Sequence, residues 1–354
     1  MGNPPSEQRF RVALTADFYD ADQRLKYHDI GLDLLSDSGI EITRLRDHRP
    51  ILEAEQLRGL HGVIVLSPRV TAESLVGNEQ LVAIGRFGVG YDSVDVAACT
   101  EANIVLFITA GAVDHSVAEA TVAWMLALTH HVRIKDQLVR ANRWDQRSQF
   151  MGAELRGRTL GVIGFGGIGR ALVRLLAGFG MKRPLVYDPY VEPAIVNEYG
   201  ATAVPLDTLL EQSDFVSLHC PLNDRTRNLL TARELARMKP TAFLINTARG
   251  GIVDEDALYD ALRERRIAGA ALDCFAIEPP PVAPRVAELE NVLLAPHSIA
   301  WTHELFRDIG RAVCRGILEL AAGRPPHGVV NPEVLERPEF QEKLRRAPLR
   351  QVGQ

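Results

Sequence analysis

Short β-branched runs alternate with helical stretches along almost the whole chain. Arg11–Thr15, Gly62–Leu66, Leu81–Gly85 and Ile104–Phe107 read as strands, with helix-like segments such as Leu25–Ser36 between them. Strands separated by helix-length connections predict parallel pairing through crossover helices, an α/β class. Hairpin signals are absent. A second, self-contained series follows: Thr159–Ile163, Pro184–Tyr187, Phe215–Leu218, Ala242–Ile245, Ala268–Leu272 and Val292–Leu294, enough for one six-stranded sheet.

Between the two series, Ser116–Val132 is apolar on nearly every face, through Trp124, Met125, Leu126 and Leu128. That pattern predicts a helix buried between layers or at a subunit contact. Ser116 followed by Glu119 reads as a capping box at its start. Arg133–Gly157 is polar and basic, with Trp144 and Phe150 standing out, and reads as a connecting arm or a surface loop. A further helix is predicted around Arg307–Ala322. Beyond Pro325 the chain turns to Pro, Arg and Glu, and residues 336–354 read as a disordered tail.

Composition narrows the class. A length of 354 residues suggests two domains. A formal charge of −5, with basic residues spread along the chain, gives no sign of a nucleic-acid surface, and no nucleic-acid partner is expected. The four cysteines, Cys99, Cys220, Cys274 and Cys314, are far apart and form no CxxC pair. They read as buried free thiols in a reducing compartment, with no metal site. Met1–Gln8 lacks the order of a signal peptide, and no apolar run reaches the ~18 residues that span a bilayer. The expectation is a cytoplasmic protein with no membrane contact.

One loop carries specific chemistry. Thr159–Ile163 runs into Gly164-Phe165-Gly166-Gly167-Ile168-Gly169, and a helix is predicted over Arg170–Gly180. This is GxGxxG in its required strand–turn–helix setting. Gly164 permits the tight turn, Gly166 lets backbone approach a pyrophosphate, and Gly169 allows close helix–strand packing. The helix N-terminus offers free N–H groups to phosphate. The next strand ends at Asp188, where a carboxylate would hold ribose hydroxyls and repel a 2′-phosphate, which favours NAD over NADP.

Three side chains follow successive strands of the second series. Arg249 lies after Ala242–Ile245, Glu278 after Ala268–Leu272, and His297 after Val292–Leu294. Each alone has an ordinary surface explanation. Together they place a cation, a carboxylate and an imidazole at strand C-termini, where open α/β sheets carry their ligands. Oxidising a hydroxy acid needs such a set: a base for the hydroxyl proton, and a cation for the carboxylate and carbonyl oxygen.

With these motifs the sequence resembles the D-isomer-specific 2-hydroxyacid dehydrogenase family, in the manner of its phosphoglycerate dehydrogenases and glyoxylate reductases. The resemblance covers about Gly62–Pro332. It is strongest in Gly161–Gly169, His219–Leu222, Met238–Asp254, Ala270–Pro279 and Ala295–His297. It implies two Rossmann-like doubly wound domains, with a nucleotide-binding domain at 112–295 inserted in a flavodoxin-like substrate domain at 1–111 and 296–335. It implies NAD as cofactor and a small 2-hydroxy or 2-keto acid as substrate. Arg249 would bind the substrate, and His297 with Glu278 would move the proton. Asp273 would lie near the nicotinamide carboxamide, Thr247 and Ala248 along the ring, Ser116 close to it, and Cys220 and Pro221 by the adenosine half. In Arg86–Asp92 the N–H groups of Val89 and Gly90 would bind the substrate carboxylate. Arg86 would add positive charge there and suggests a larger or more anionic substrate. Trp301 departs from the small residues common in relatives and would either wall the pocket or pack elsewhere. Domain closure and a homodimer through the nucleotide domain are implied as well. A binding protein on the same fold, an NAD(H)-sensing corepressor, is the alternative.

Overall fold

The computed structural model describes residues 9–348. The chain divides into two compact units. One holds the chain up to Val113 together with the chain from Thr302 onward, and the other is Asp114–Trp301. The changeovers expected at 111/112 and 295/296 lie a few residues earlier. The second difference matters, because it leaves His297 and Trp301 with the nucleotide-type unit.

In the first unit, β1 (Arg11–Leu14), β2 (Glu41–Arg44), β3 (Gly62–Val65), β4 (Ala83–Arg86) and β5 (Val105–Ile108) form one parallel sheet in the order β2-β1-β3-β4-β5. The strand order reverses between β1 and β3, as in flavodoxin-like sheets. β3 is buried at every position, so it reads as an unbroken apolar run. β2 was not anticipated: it is a mostly exposed edge strand of sequence EITR, with no apolar alternation to reveal it. The helix expected over Leu25–Ser36 is only Leu32–Asp37.

The returning helix, His303–Ala321, belongs to this unit and lies close against its sheet. Two glycines make the approach possible. A β-carbon on Gly85 would stand 2.6 Å from Val313 Cγ2, and one on Gly316 2.3 Å from Phe107 Cε2. Asn331 is fully buried and ties the return to β5: its Oδ1 accepts from Leu106 N–H at 2.9 Å and its Nδ2 donates to Ile104 O at 2.9 Å.

The disordered tail is corrected by the structure as far as residue 348. Pro338–Arg346 is a helix with Phe340 and Leu344 buried. Those two residues are one turn apart, which gives an otherwise polar segment an apolar stripe to dock. Lys343 donates to Ala102 O at 3.0 Å, and burial pulls its ammonium down to about 8. The rest of that predicted tail, 349–354, lies outside the described residues.

In the second unit, β6 (Leu160–Ile163), β7 (Leu185–Tyr187), β8 (Thr202–Ala203), β9 (Phe215–Leu218), β10 (Phe243–Asn246), β11 (Gly269–Leu272) and β12 (Val292–Leu294) form a parallel sheet. Its order is β12-β11-β10-β9-β6-β7-β8, so it has seven strands, one more than expected. The addition, β8, is two exposed residues at the edge. Apolar cores cover both faces. Trp124, Met125, Leu128, Leu172 and Val173 pack on one, and Leu209, Leu258 and Leu262 on the other. This is the doubly wound α/β architecture expected for both units.

The long apolar helix runs over Asp114–Thr129 and so begins two residues before Ser116. Ser116 therefore does not cap it. Glu119 pairs instead with His115 Nε2 at 3.3 Å, one turn away on the exposed side. The basic stretch after it contains a helix, Val132–Arg140, and a 3-10 segment, Trp144–Gln149. Among the described residues no helix is long and apolar enough to cross a membrane.

Candidate active site

The glycine loop leaves β6 at the point where strand order reverses, between β6 and β9. Gly164 has φ +91, and a β-carbon there would stand 2.5 Å from Cys220 N and 2.6 Å from the His219 carbonyl carbon. Only glycine meets both conditions. A β-carbon on Gly169 would stand 2.5 Å from Gly164 O, so this glycine lets the helix close on the loop. At Gly166 nothing lies within 4 Å of that position. Gly166 is also the N-cap of the helix Gly167–Leu175 and has no side chain with which to cap it. Its uncapped N–H groups, Ile168 among the first of them, face an approachable surface, which fits a dinucleotide pyrophosphate.

Asp188 stands just past β7. Its Oδ2 accepts from Phe165 N–H at 2.7 Å and its Oδ1 from Tyr190 N–H at 2.9 Å. The carboxylate thus holds the glycine loop in shape at the place where ribose hydroxyls are expected. Cys220 and Pro221 follow β9, with the Cys220 backbone against Gly164 and burial pushing its thiol up to about 11.

The loops after β10, β11 and β12 bring the three catalytic candidates to one end of the sheet. His297 Nδ1 lies 2.6 Å from Glu278 Oε2, and Glu278 Oε1 accepts from Phe275 N–H at 2.8 Å. Burial pushes the Glu278 carboxyl up, but the His297 bond and charge, the Phe275 N–H and the Arg249 charge together outweigh it and hold the group below its ordinary value. Arg249 contributes in the same direction, so its charge is felt at the pair. Arg249 Nη1 donates to Ala248 O at 2.7 Å.

His297 has φ +53, a left-handed backbone that a non-glycine residue holds only when its surroundings require it. Asp273 supplies that requirement. Its carbonyl accepts from His297 N–H at 2.7 Å, and its Oδ1 accepts from Ser298 N–H at 2.8 Å and Ile299 N–H at 3.1 Å. Asp273 is buried, which raises its carboxyl despite those two donors.

Two residues absent from the sequence reading shape these loops. Asn246, buried at the end of β10, accepts from Ala248 N–H at 3.0 Å and donates to Arg249 O at 2.9 Å, folding Thr247–Arg249 back on itself. A buried amide ending the run FLI was the available signal. Glu255 accepts from Ala276 N–H at 2.6 Å and anchors the Glu278 loop from the start of the next helix. No local pattern marks it.

The remaining candidates are placed as follows. Ser116 is in the first turns of Asp114–Thr129. Thr247 Oγ1 lies 3.4 Å from Thr121 Oγ1 on that same helix. Trp301 ends the second unit with its N–H donating to Ser298 O at 2.9 Å and about half its surface exposed. In the first unit Arg86 ends β4 and donates from Nη1 to Phe87 O. Its guanidinium curls over Gly88, which has φ +135, and Val89 and Gly90 continue that turn. Among the described residues no cluster of His, Cys, Asp and Glu could hold a metal ion.

Comparison with known proteins agrees with this architecture. The family model for the D-isomer specific 2-hydroxyacid dehydrogenase NAD binding domain matches residues 122–298. A glyoxylate reductase from Korarchaeum cryptofilum is 39% identical over 277 residues, which is 77% of this chain and 83% of that protein. A D-3-phosphoglycerate dehydrogenase from Synechocystis is 37% identical over 323 residues, 89% of this chain; the match spans only 56% of that relative's length. The crystal structure of a glyoxylate reductase from Paecilomyes thermophila superposes with a TM-score of 0.78 at 27% identity, over 91% of this chain and 99% of that one. The chain belongs to the D-isomer-specific 2-hydroxyacid dehydrogenase family and carries its NAD-binding domain.

Proposed function

We propose that this protein transfers a hydride between NAD and C2 of a small 2-hydroxy or 2-keto acid, as a D-2-hydroxyacid dehydrogenase. The observation that carries the reading is the 2.6 Å bond between His297 Nδ1 and Glu278 Oε2. With Nδ1 held by the carboxylate, Nε2 is the ring atom that gives a proton to the keto oxygen or takes one from the hydroxyl. Glu278 fixes the tautomer and balances the charge on the ring. Arg249 binds the substrate carboxylate and polarises the carbonyl oxygen. Bound NAD supplies the hydride acceptor, and the reduced form the donor.

The loop residues Gly164, Gly166, Gly167, Ile168 and Gly169 hold the pyrophosphate in this reading. Asp188 takes the ribose hydroxyls, Cys220 and Pro221 border the adenosine, and Ser116, Thr247, Ala248 and Asp273 surround the nicotinamide. In the first unit Val89 and Gly90 donate to the substrate carboxylate, and Arg86 adds a cation for a larger or more anionic acid; Trp301 limits the size of the substrate. The exposed Val132, Val139, Trp144 and Met151 support a homodimer through the basic arm, because such apolar groups cluster where surfaces meet partners. The four free cysteines support a cytoplasmic location.

The test is NADH oxidation against 2-keto acids from glyoxylate through hydroxypyruvate to sugar-derived acids. Turnover on one class, lost in Arg249→Ala, is the expected result. NADH bound without turnover on any acid would sink the reading and favour a sensing role. An unchanged KM for every acid in Arg86→Ala would remove the anionic-substrate part alone. In Asp188→Ala, NADH binding weakens and the preference over NADPH narrows by roughly tenfold or more, because the carboxylate no longer opposes a 2′-phosphate. Paired titrations with the two coenzymes check it.

A further inference from the structure

Asp114 opens the helix Asp114–Thr129, and its side chain reaches the phosphate loop. A β-carbon on Gly167 would stand 1.9 Å from Asp114 Oδ2 and 2.7 Å from Oδ1. The carboxylate therefore fills the space beside the first residue of Gly167–Leu175, the helix whose uncapped N-terminus faces the open surface at Gly166. A helix N-terminus attracts negative charge. A second anion arriving there meets the first.

No cation pairs with this one among the described residues. The Asp114 carboxylate has no hydrogen-bond donor among the described residues, and burial raises its carboxyl. Arg170, one turn along the glycine helix, is engaged elsewhere: its Nε donates to Phe165 O at 3.0 Å and its guanidinium lies over the Phe165 and Tyr199 rings. His115 faces Glu119. The other carboxylate of the loop, Asp188, adds negative charge rather than removing it.

We propose that Asp114 is a built-in opposing charge that loosens the grip of the glycine loop on the coenzyme pyrophosphate. It keeps the coenzyme exchangeable by charge alone. Gly167 is part of the device, since any side chain there would displace the carboxylate. The proposal rests on the dinucleotide site described above.

The experiment measures dissociation constants of NADH, ADP-ribose and adenosine for the full chain and for Asp114→Asn, at low and high salt. Asp114→Asn keeps the shape and removes the charge. NADH and ADP-ribose are expected to bind roughly tenfold tighter at low salt, and the gain shrinks as salt screens it. Adenosine, which has no phosphate, binds unchanged. Equal or weaker binding of ADP-ribose by Asp114→Asn overturns the proposal, and so does an equal gain for adenosine, which marks a change of shape. Asp114→Ser gives the same readings should the amide disturb folding. A wild-type chain that binds neither NADH nor ADP-ribose would instead overturn the dinucleotide site itself.

Discussion

Replacing His297 with Ala lowers kcat for keto-acid reduction by roughly a thousandfold, the range expected when a positioned acid–base group is lost. The NADH dissociation constant stays near wild type, because the main partner of the ring is the Glu278 carboxylate, while the melting temperature falls modestly as Glu278 loses its partner. Glu278→Gln has a smaller effect, a loss of roughly 10- to 100-fold. The amide still meets Nδ1 but cannot balance an imidazolium. The pair also has a pH signature. Against burial, the folded Glu278 carboxyl is held below its ordinary value by His297 together with Phe275 N–H and Arg249. Its contribution to stability is therefore present above the unfolded carboxylate value and is lost as pH falls through the lower folded one. The melting temperature of wild type should exceed that of Glu278→Gln at neutral pH, and the gap should close in acid. A His297→Ala enzyme with near-normal kcat would remove the proposed base.

Gly250→Ala has the second large effect. A β-carbon at Gly250 would stand 1.9 Å from the Phe275 carbonyl carbon, 2.0 Å from its oxygen and 2.4 Å from Ala276 N. All three are backbone atoms, so relief requires moving the strand of chain that carries Glu278. That stretch is pinned at two adjacent residues, by Phe275 N–H on Glu278 and Ala276 N–H on Glu255. Overpacking of this kind costs about 1–3 kcal/mol, and the melting temperature drops by several degrees. The catalytic loss is of similar size, about 2.7 kcal/mol. A displaced Glu278 no longer meets His297, and kcat/KM should fall by roughly 100-fold, as ångström-scale misplacement does. NADH binding survives, since the glycine loop after β6 is untouched. Kinetics, a thermal melt and an NADH titration on one preparation separate the three effects. Wild-type kcat/KM in Gly250→Ala would show that the loop contact does not position Glu278.

These effects divide into parts that a reader of the chain could foresee and parts that only the folded chain supplies. The strands that the pattern revealed, such as β3, β9 and β11, are buried at every position. Full burial demands an unbroken apolar run, and the run is visible. β2 and β8 lie at sheet edges with little to bury, so their residues carry no such mark. The helix Pro338–Arg346 went unread because a Pro- and Arg-rich composition masked two apolar residues one turn apart. The capping box at Ser116 was a true local pattern. It failed because the helix had already begun at Asp114.

By itself the sequence determined the α/β class, the glycine loop in its strand–turn–helix setting, and the arginine, carboxylate and imidazole that follow successive strands. These are local features: periodicity, turn chemistry and order along the chain. The tertiary structure alone decided the strand order, which sets Gly164 against Cys220, and the contact of Asp114 with Gly167. It also decided the left-handed backbone of His297 under Asp273, and the pressing of Gly250 against Phe275 that brings Glu278 into place. Each of these joins residues far apart in the chain. Such contacts follow from how helices and strands pack, and no short-range pattern records that packing.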